Sequence, residues 1–188
     1  MCRALFAEGA FSAAFIPLFN RKVAEGGDRA AGIAFAEQAL AVLLPILIVF
    51  TGIMIALAWP ITFALSGGFN DPTPEQFAYA VTLSRITLPY LMLISLVSLL
   101  GGILNSLDRF WVNAAAPILL NIAMIVALVG FRGGDPYATA RAQAWAVTAG
   151  GALQLGWLVL ACRAAGVKLR IRRPRLTPEM RELLRLII

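Results

Sequence analysis

Phe110-Trp111-Val112-Asn113-Ala114-Ala115-Ala116-Pro117-Ile118-Leu119-Leu120-Asn121-Ile122-Ala123-Met124-Ile125-Val126-Ala127-Leu128-Val129 carries no charged side chain. It is long enough to cross a bilayer as a helix, which takes about 20 mostly apolar residues. Asn113, Pro117 and Asn121 follow one another at intervals of four and so share one helical face. The same measure, carried outward, predicts spans over about 1–19, 30–65, 75–104, 109–129 and 138–162. A further helix is announced from about 177, where Thr177 suits the N-cap and Pro178 the first helical position. Polar turns are expected at Asn20 to Arg29, with its Gly26-Gly27 pair, at Ser66 to Pro74, at Asn105 to Asp108 and at Gly130 to Tyr137. The second span is too long to lie wholly in hydrocarbon. Its early part, with Glu37 and Gln38, is therefore placed at the interface, and Pro45 and Pro60 are expected to bend it.

Composition agrees with a bilayer solvent. Of 188 residues 60% are hydrophobic and 14% charged, and the mean hydropathy is +0.82, well above the apolar share of a soluble domain. The expected fold class is all-α, a polytopic transmembrane helix bundle. There is no histidine, and Cys2 and Cys162 stand at opposite ends of the chain, which argues against a metal centre or a disulfide framework. No Walker A or dinucleotide-binding glycine pattern occurs, and the carboxylates are scattered through different loops. Neither an enzyme nor a cofactor is expected, since hydrolysis or glycosyl transfer would want paired carboxylates or a placed base.

The net charge of +6 lies mainly between or beside the apolar runs rather than along one face. It is read as membrane orientation, and no nucleic-acid partner is expected. The loops after spans one, three and five hold Arg21, Lys22 and Arg29, then Arg109, then Arg163, Lys168, Arg170, Arg172, Arg173 and Arg175. The alternate loops hold Asp71, Glu75 and Asp135, with Arg132 and Arg141. Cytoplasmic loops are enriched in Lys and Arg, so the first span is predicted to run inward. The basic segment Arg163 to Arg175 is either a topology anchor or a contact for anionic membrane lipid. A chain that begins directly in an apolar helix containing Glu8 looks like an internal start, not a secretory signal.

Charges inside the spans are the candidate functional residues, because an ionised group at bilayer depth is costly. Arg3 offers fixed charge and paired donors that match phosphate oxygens; its alternative is to snorkel to the outer interface. Glu8 lies about 140° further round the helix from Arg3, too far for an ideal intrahelical pair. It either bonds a neighbouring helix end or serves in proton or ion coupling. Arg85 sits about 15 Å into its span, where it lines a cavity or pairs with an outer carboxylate. Gly101-Gly102 and Gly150-Gly151 read as points of close helix packing.

Two blocks of wording carry a family resemblance. The first is Arg3-Ala4-Leu5-Phe6-Ala7-Glu8-Gly9-Ala10-Phe11-Ser12 with Ala14-Phe15-Ile16-Pro17. The second is Ser84-Arg85-Ile86-Thr87-Leu88-Pro89-Tyr90, then Gly101-Gly102-Ile103-Leu104-Asn105, Arg109-Phe110 and Pro117-Ile118-Leu119-Leu120-Asn121-Ile122. Together they resemble the MurJ/MviN lipid II flippases of the multidrug and oligosaccharidyl-lipid exporter superfamily. The resemblance implies a MATE/MOP-like N-terminal lobe fragment covering helices two to six and the start of the seventh. The family's first helix and its C-terminal lobe, which the activity needs, would then be missing partners. It implies lipid II, an undecaprenyl diphosphate-linked muropeptide, as the substrate, moved by alternating access across the bacterial inner membrane.

By the same resemblance Arg3 holds the place of a cavity-facing arginine, and Arg85 a place where relatives can carry lysine. Ala4 stands where relatives often have a second arginine. Two other readings stay open: a drug or polysaccharide-lipid exporter of the same superfamily, and a membrane scaffold for cell-wall assembly that works through the basic segment.

Overall fold

A computed structural model describes residues 10–27, 29–65, 73–132 and 135–170, together with 174, 177 and 181; the side chains of 10–14 are not described. Arg3 and Glu8 lie outside the described residues, as does most of the expected helix from 177. Every regular element among the described residues is an α-helix: α1 (Ala10–Gly26), α2 (Arg29–Ala56), α3 (Ala58–Leu65), α4 (Pro74–Thr87), α5 (Pro89–Ser106), α6 (Phe110–Gly130) and α7 (Pro136–Ala164). Among the described residues four stretches are long and apolar enough to cross a membrane: Arg29–Ala56, Pro74–Ser106, Phe110–Gly130 and Pro136–Ala164. The chain is an all-α, polytopic membrane bundle.

Local chemistry sets most of the boundaries. Thr73 caps α4 by accepting from the Gln76 N–H at 3.4 Å, the Gln76 side chain returns the bond to the Thr73 N–H at 3.3 Å, and Pro74 follows at the first helical position. Asp135 caps α7 in the same way through the Ala138 N–H. α7 ends at Gly166, whose φ of +79° lets the Val167 N–H reach back to the Cys162 carbonyl at 2.9 Å. Asp108 does the same for α5 with φ of +59°, returning the Arg109 N–H to the Leu104 carbonyl.

One boundary differs from the sequence expectation. α1 continues to Gly26, so the polar stretch from Asn20 is helical and not a turn. Hydropathy marks where the bilayer ends rather than where the helix ends; Glu25 pairs with Lys22 at 3.0 Å and Arg21 at 3.7 Å, and these pairs carry the helix on. The long second span turns at Leu57, ahead of Pro60, where a bend is expected, and the third runs from Pro74 to Ser106 with Leu88 in helical conformation ahead of Pro89.

α5 is the central element. It packs against α1, α2, α6 and α7, and Ile94 and the run from Leu96 to Leu104 are buried. Phe15 of α1 stacks on Phe35 of α2 and contacts the helix at Gly102, where a Cβ would come within 3.1 Å of the Phe15 ring. α6 and α7 form the most extensive pair and run antiparallel. Gly150 is their point of closest approach, since a Cβ there would lie 3.1 Å from the Leu120 Cα. Outward, α2 exposes Ile48, Val49 and Phe50, and α6 exposes Ile118, Ile125 and Val126. Apolar surface of that extent suits a hydrocarbon solvent. Aromatic clusters sit towards both ends, Trp59–Phe63–Phe77 and Tyr79–Tyr137 at one and Trp111–Trp157 at the other, in the manner of interfacial belts.

Candidate functional site: the polar face of α4

Glu75, Ala78, Thr82 and Arg85 recur at helical spacing and form one exposed face of α4. The outward faces of α2 and α6 carry large apolar side chains, whereas this one is small, polar and charged. A face of that kind suits a water-filled cavity better than lipid. Arg85 lies in the last turn of α4, where the helix dipole favours a cation. It is eleven residues beyond Pro74, a rise of about 16 Å, inside the candidate membrane span Pro74–Ser106. Among the described residues no carboxylate pairs with it, so the pairing with an outer Asp or Glu left open by the sequence is not made there.

Bonds to neighbouring helices hold α4 in place. Thr62 of α3 donates to the Ser84 hydroxyl at 3.1 Å, and the Tyr79 hydroxyl donates to the Tyr137 carbonyl at the start of α7. Pro89 has no N–H for the Arg85 carbonyl one turn back, and beside it Thr148 of α7 donates to the Ile86 carbonyl at 2.6 Å. Arg85 is thus presented from a braced helix end.

A second polar locus is not among the sequence expectations. Ser98 of α5, Asn113 of α6 and Gln154 of α7 line a cavity of about 220 Å³ next to Pro117. Gln154 is 1% exposed and donates to the Ala116 carbonyl at 3.1 Å, while Trp157 donates to Val112 and Gln143 to Met124. α7 therefore lays a row of donors along the carbonyls of α6. The signal is present in the sequence, since polar side chains in the middle of an apolar span are uncommon. Attention to charge alone passes over it. No group of three or more His, Cys, Asp or Glu able to hold a metal occurs among the described residues.

Glu37 is 3% exposed, and its Oε1 accepts the backbone N–H of Arg170 at 2.9 Å. The carboxylate thus faces the segment leaving α7.

The fold is a membrane bundle with a polar, charged face on α4, and comparison with known proteins gives it a family. The family model described as lipid II flippase MurJ matches residues 1–188. The chain belongs to the MurJ lipid II flippase family. It is similar to the probable lipid II flippase MurJ of Rhizobium tropici, 41% identical over 190 residues, covering 99% of this chain and 35% of that protein. The corresponding protein of Rhizobium meliloti is 40% identical over 187 residues, covering 97% of this chain and 34% of its own length. The lipid II flippase MurJ of Burkholderia cenocepacia is 40% identical over 155 residues, covering 82% and 29%. The chain spans about a third of the length of the curated relatives it matches.

Proposed function

We propose that the full-length protein flips lipid II from the inner to the outer leaflet of the bacterial inner membrane by alternating access. The carrying observation is the exposed Arg85, without a carboxylate partner among the described residues, inside a candidate membrane span on the polar face of α4, in a chain that matches the flippase family from end to end. A diphosphate taken from water into a low-dielectric interior needs fixed positive charge to compensate it. Arg85 supplies part of that charge, and Arg3, four residues before Ala7 in the Ala7-Glu8-Gly9 triplet, supplies another part. Glu8 serves either coupling or a contact between helices. The membrane potential, negative inside, favours outward movement of anionic charge by about 2.3 kcal/mol per charge per 100 mV. The turns at Leu57 and Leu88 provide places where a lobe can flex between inward and outward openings.

The test is complementation of a flippase-depleted strain with the full-length protein, together with a direct assay of headgroup translocation. Arg3→Ala and Arg85→Ala are each expected to slow translocation about tenfold, the scale of a lost charge-assisted bond. Arg85→Lys should keep most of the rate, and Arg3→Lys only part, because lysine lacks the paired-donor geometry. Normal growth and translocation with both alanine variants at wild-type expression would remove the binding role.

A further inference from the structure

Residues of α2, α5 and α7 line a groove of about 280 Å³ towards the cation-rich end of the bundle. Leu40 and Leu44 of α2, Leu96 and Leu100 of α5, and Leu155 and Val159 of α7 line it. Val167 and Leu169 close its end, and the exposed Arg163 stands at its lining. Lys168 and Arg170, also exposed, lie on the same short segment. That segment is pinned over α2 by the bond from the Arg170 N–H to the buried Glu37.

We propose that this groove is a binding site for an anionic glycerophospholipid of the inner leaflet, with an acyl chain between α2 and α7 and the phosphate on Arg163. Two features select this occupant. The lining is apolar along the helices and cationic only where they leave the bilayer, which matches the polarity profile of a lipid from tail to headgroup. The guanidinium pairs with phosphate oxygens. The site is separate from the polar face of α4, and it depends on the membrane-spanning arrangement, not on the identity of the flipped substrate. An occupied groove would brace the Val167 to Arg170 segment that leads out of α7.

The experiment is native mass spectrometry of the full-length protein released from nanodiscs of phosphatidylcholine containing increasing phosphatidylglycerol, with melting temperature as the check on folding. Wild-type protein is expected to retain phosphatidylglycerol over phosphatidylcholine, and glycerol phosphate, which has no chains, should not displace it. Arg163→Ala should weaken retention about fivefold, the loss of one cation near a membrane surface. Leu100→Phe or Leu155→Phe, each filling the groove, should abolish it at an unchanged melting temperature. Equal retention of the two lipids would overturn the proposal. So would full phosphatidylglycerol retention in both groove-filled variants. Loss of melting temperature in both, with lipid retention intact, would instead place the chain's own downstream segment in the groove and likewise overturn it. Retention is read without transport, so this test can fail while lipid II flipping stands, and the reverse.

Discussion

Glu37 shows how one side chain joins distant parts of the chain. A carboxylate at 3% exposure is costly unless its oxygens are bonded, and one of its bonds is to the Arg170 N–H, 133 positions away. Glu37→Ala orphans that donor and is expected to cost about 2 kcal/mol, the scale of a hydrogen bond to a charged group. Glu37→Gln keeps an acceptor of the same shape and should cost about 1 kcal/mol or less. Thermal unfolding of the full-length protein in nanodiscs measures both. Equal losses would mean that the bond to Arg170 contributes nothing beyond burial.

At the scale of elements, the prolines mark where long spans turn, and neighbouring helices bond carbonyls beside those turns. Thr148→Val keeps the shape of the side chain but withdraws the donor to Ile86. It should lower stability by about 1 kcal/mol and loosen the junction that presents Arg85, so translocation should fall while expression holds. Gly150 is the contact between α6 and α7, where an added methyl group would lie 3.1 Å from the Leu120 Cα. Gly150→Leu is expected to cost about 3 kcal/mol or more by overpacking. Gly156, where a Cβ meets nothing within 4 Å, serves as the control, and Gly156→Ala should leave melting unchanged or slightly raised. If the two glycines responded alike, the close approach would not be the cause.

For the whole molecule the expectation is topological. The alternation of cations between loops places Asn20 to Arg29 and Arg163 to Arg175 in the cytoplasm and Ser66 to Pro74 in the periplasm. Single cysteines introduced at Arg29, Arg163 and Ser66 of the full-length protein test this with an impermeant thiol reagent on intact spheroplasts. Ser66→Cys should label, and the other two only after lysis. Labelling of Arg163→Cys from outside would invert the bundle and move the proposed lipid groove to the other leaflet.

The all-helical membrane class, the turns before Pro74 and Tyr137 and the bend near Pro60 were legible in the sequence, because each depends on residues within a turn or two of one another. Arg85 was legible as a charge at bilayer depth for the same reason. Whether it was paired was not, since that depends on which helices lie beside α4. The partner of Glu37, the donor from Thr148 to Ile86, the polar cavity around Gln154 and the groove between α2 and α7 all join residues tens of positions apart. Hydropathy and helical period report which face of a segment is apolar, not which neighbour it meets. Packing of whole helices against α5 settled those meetings, and with them the face from which Arg85 projects.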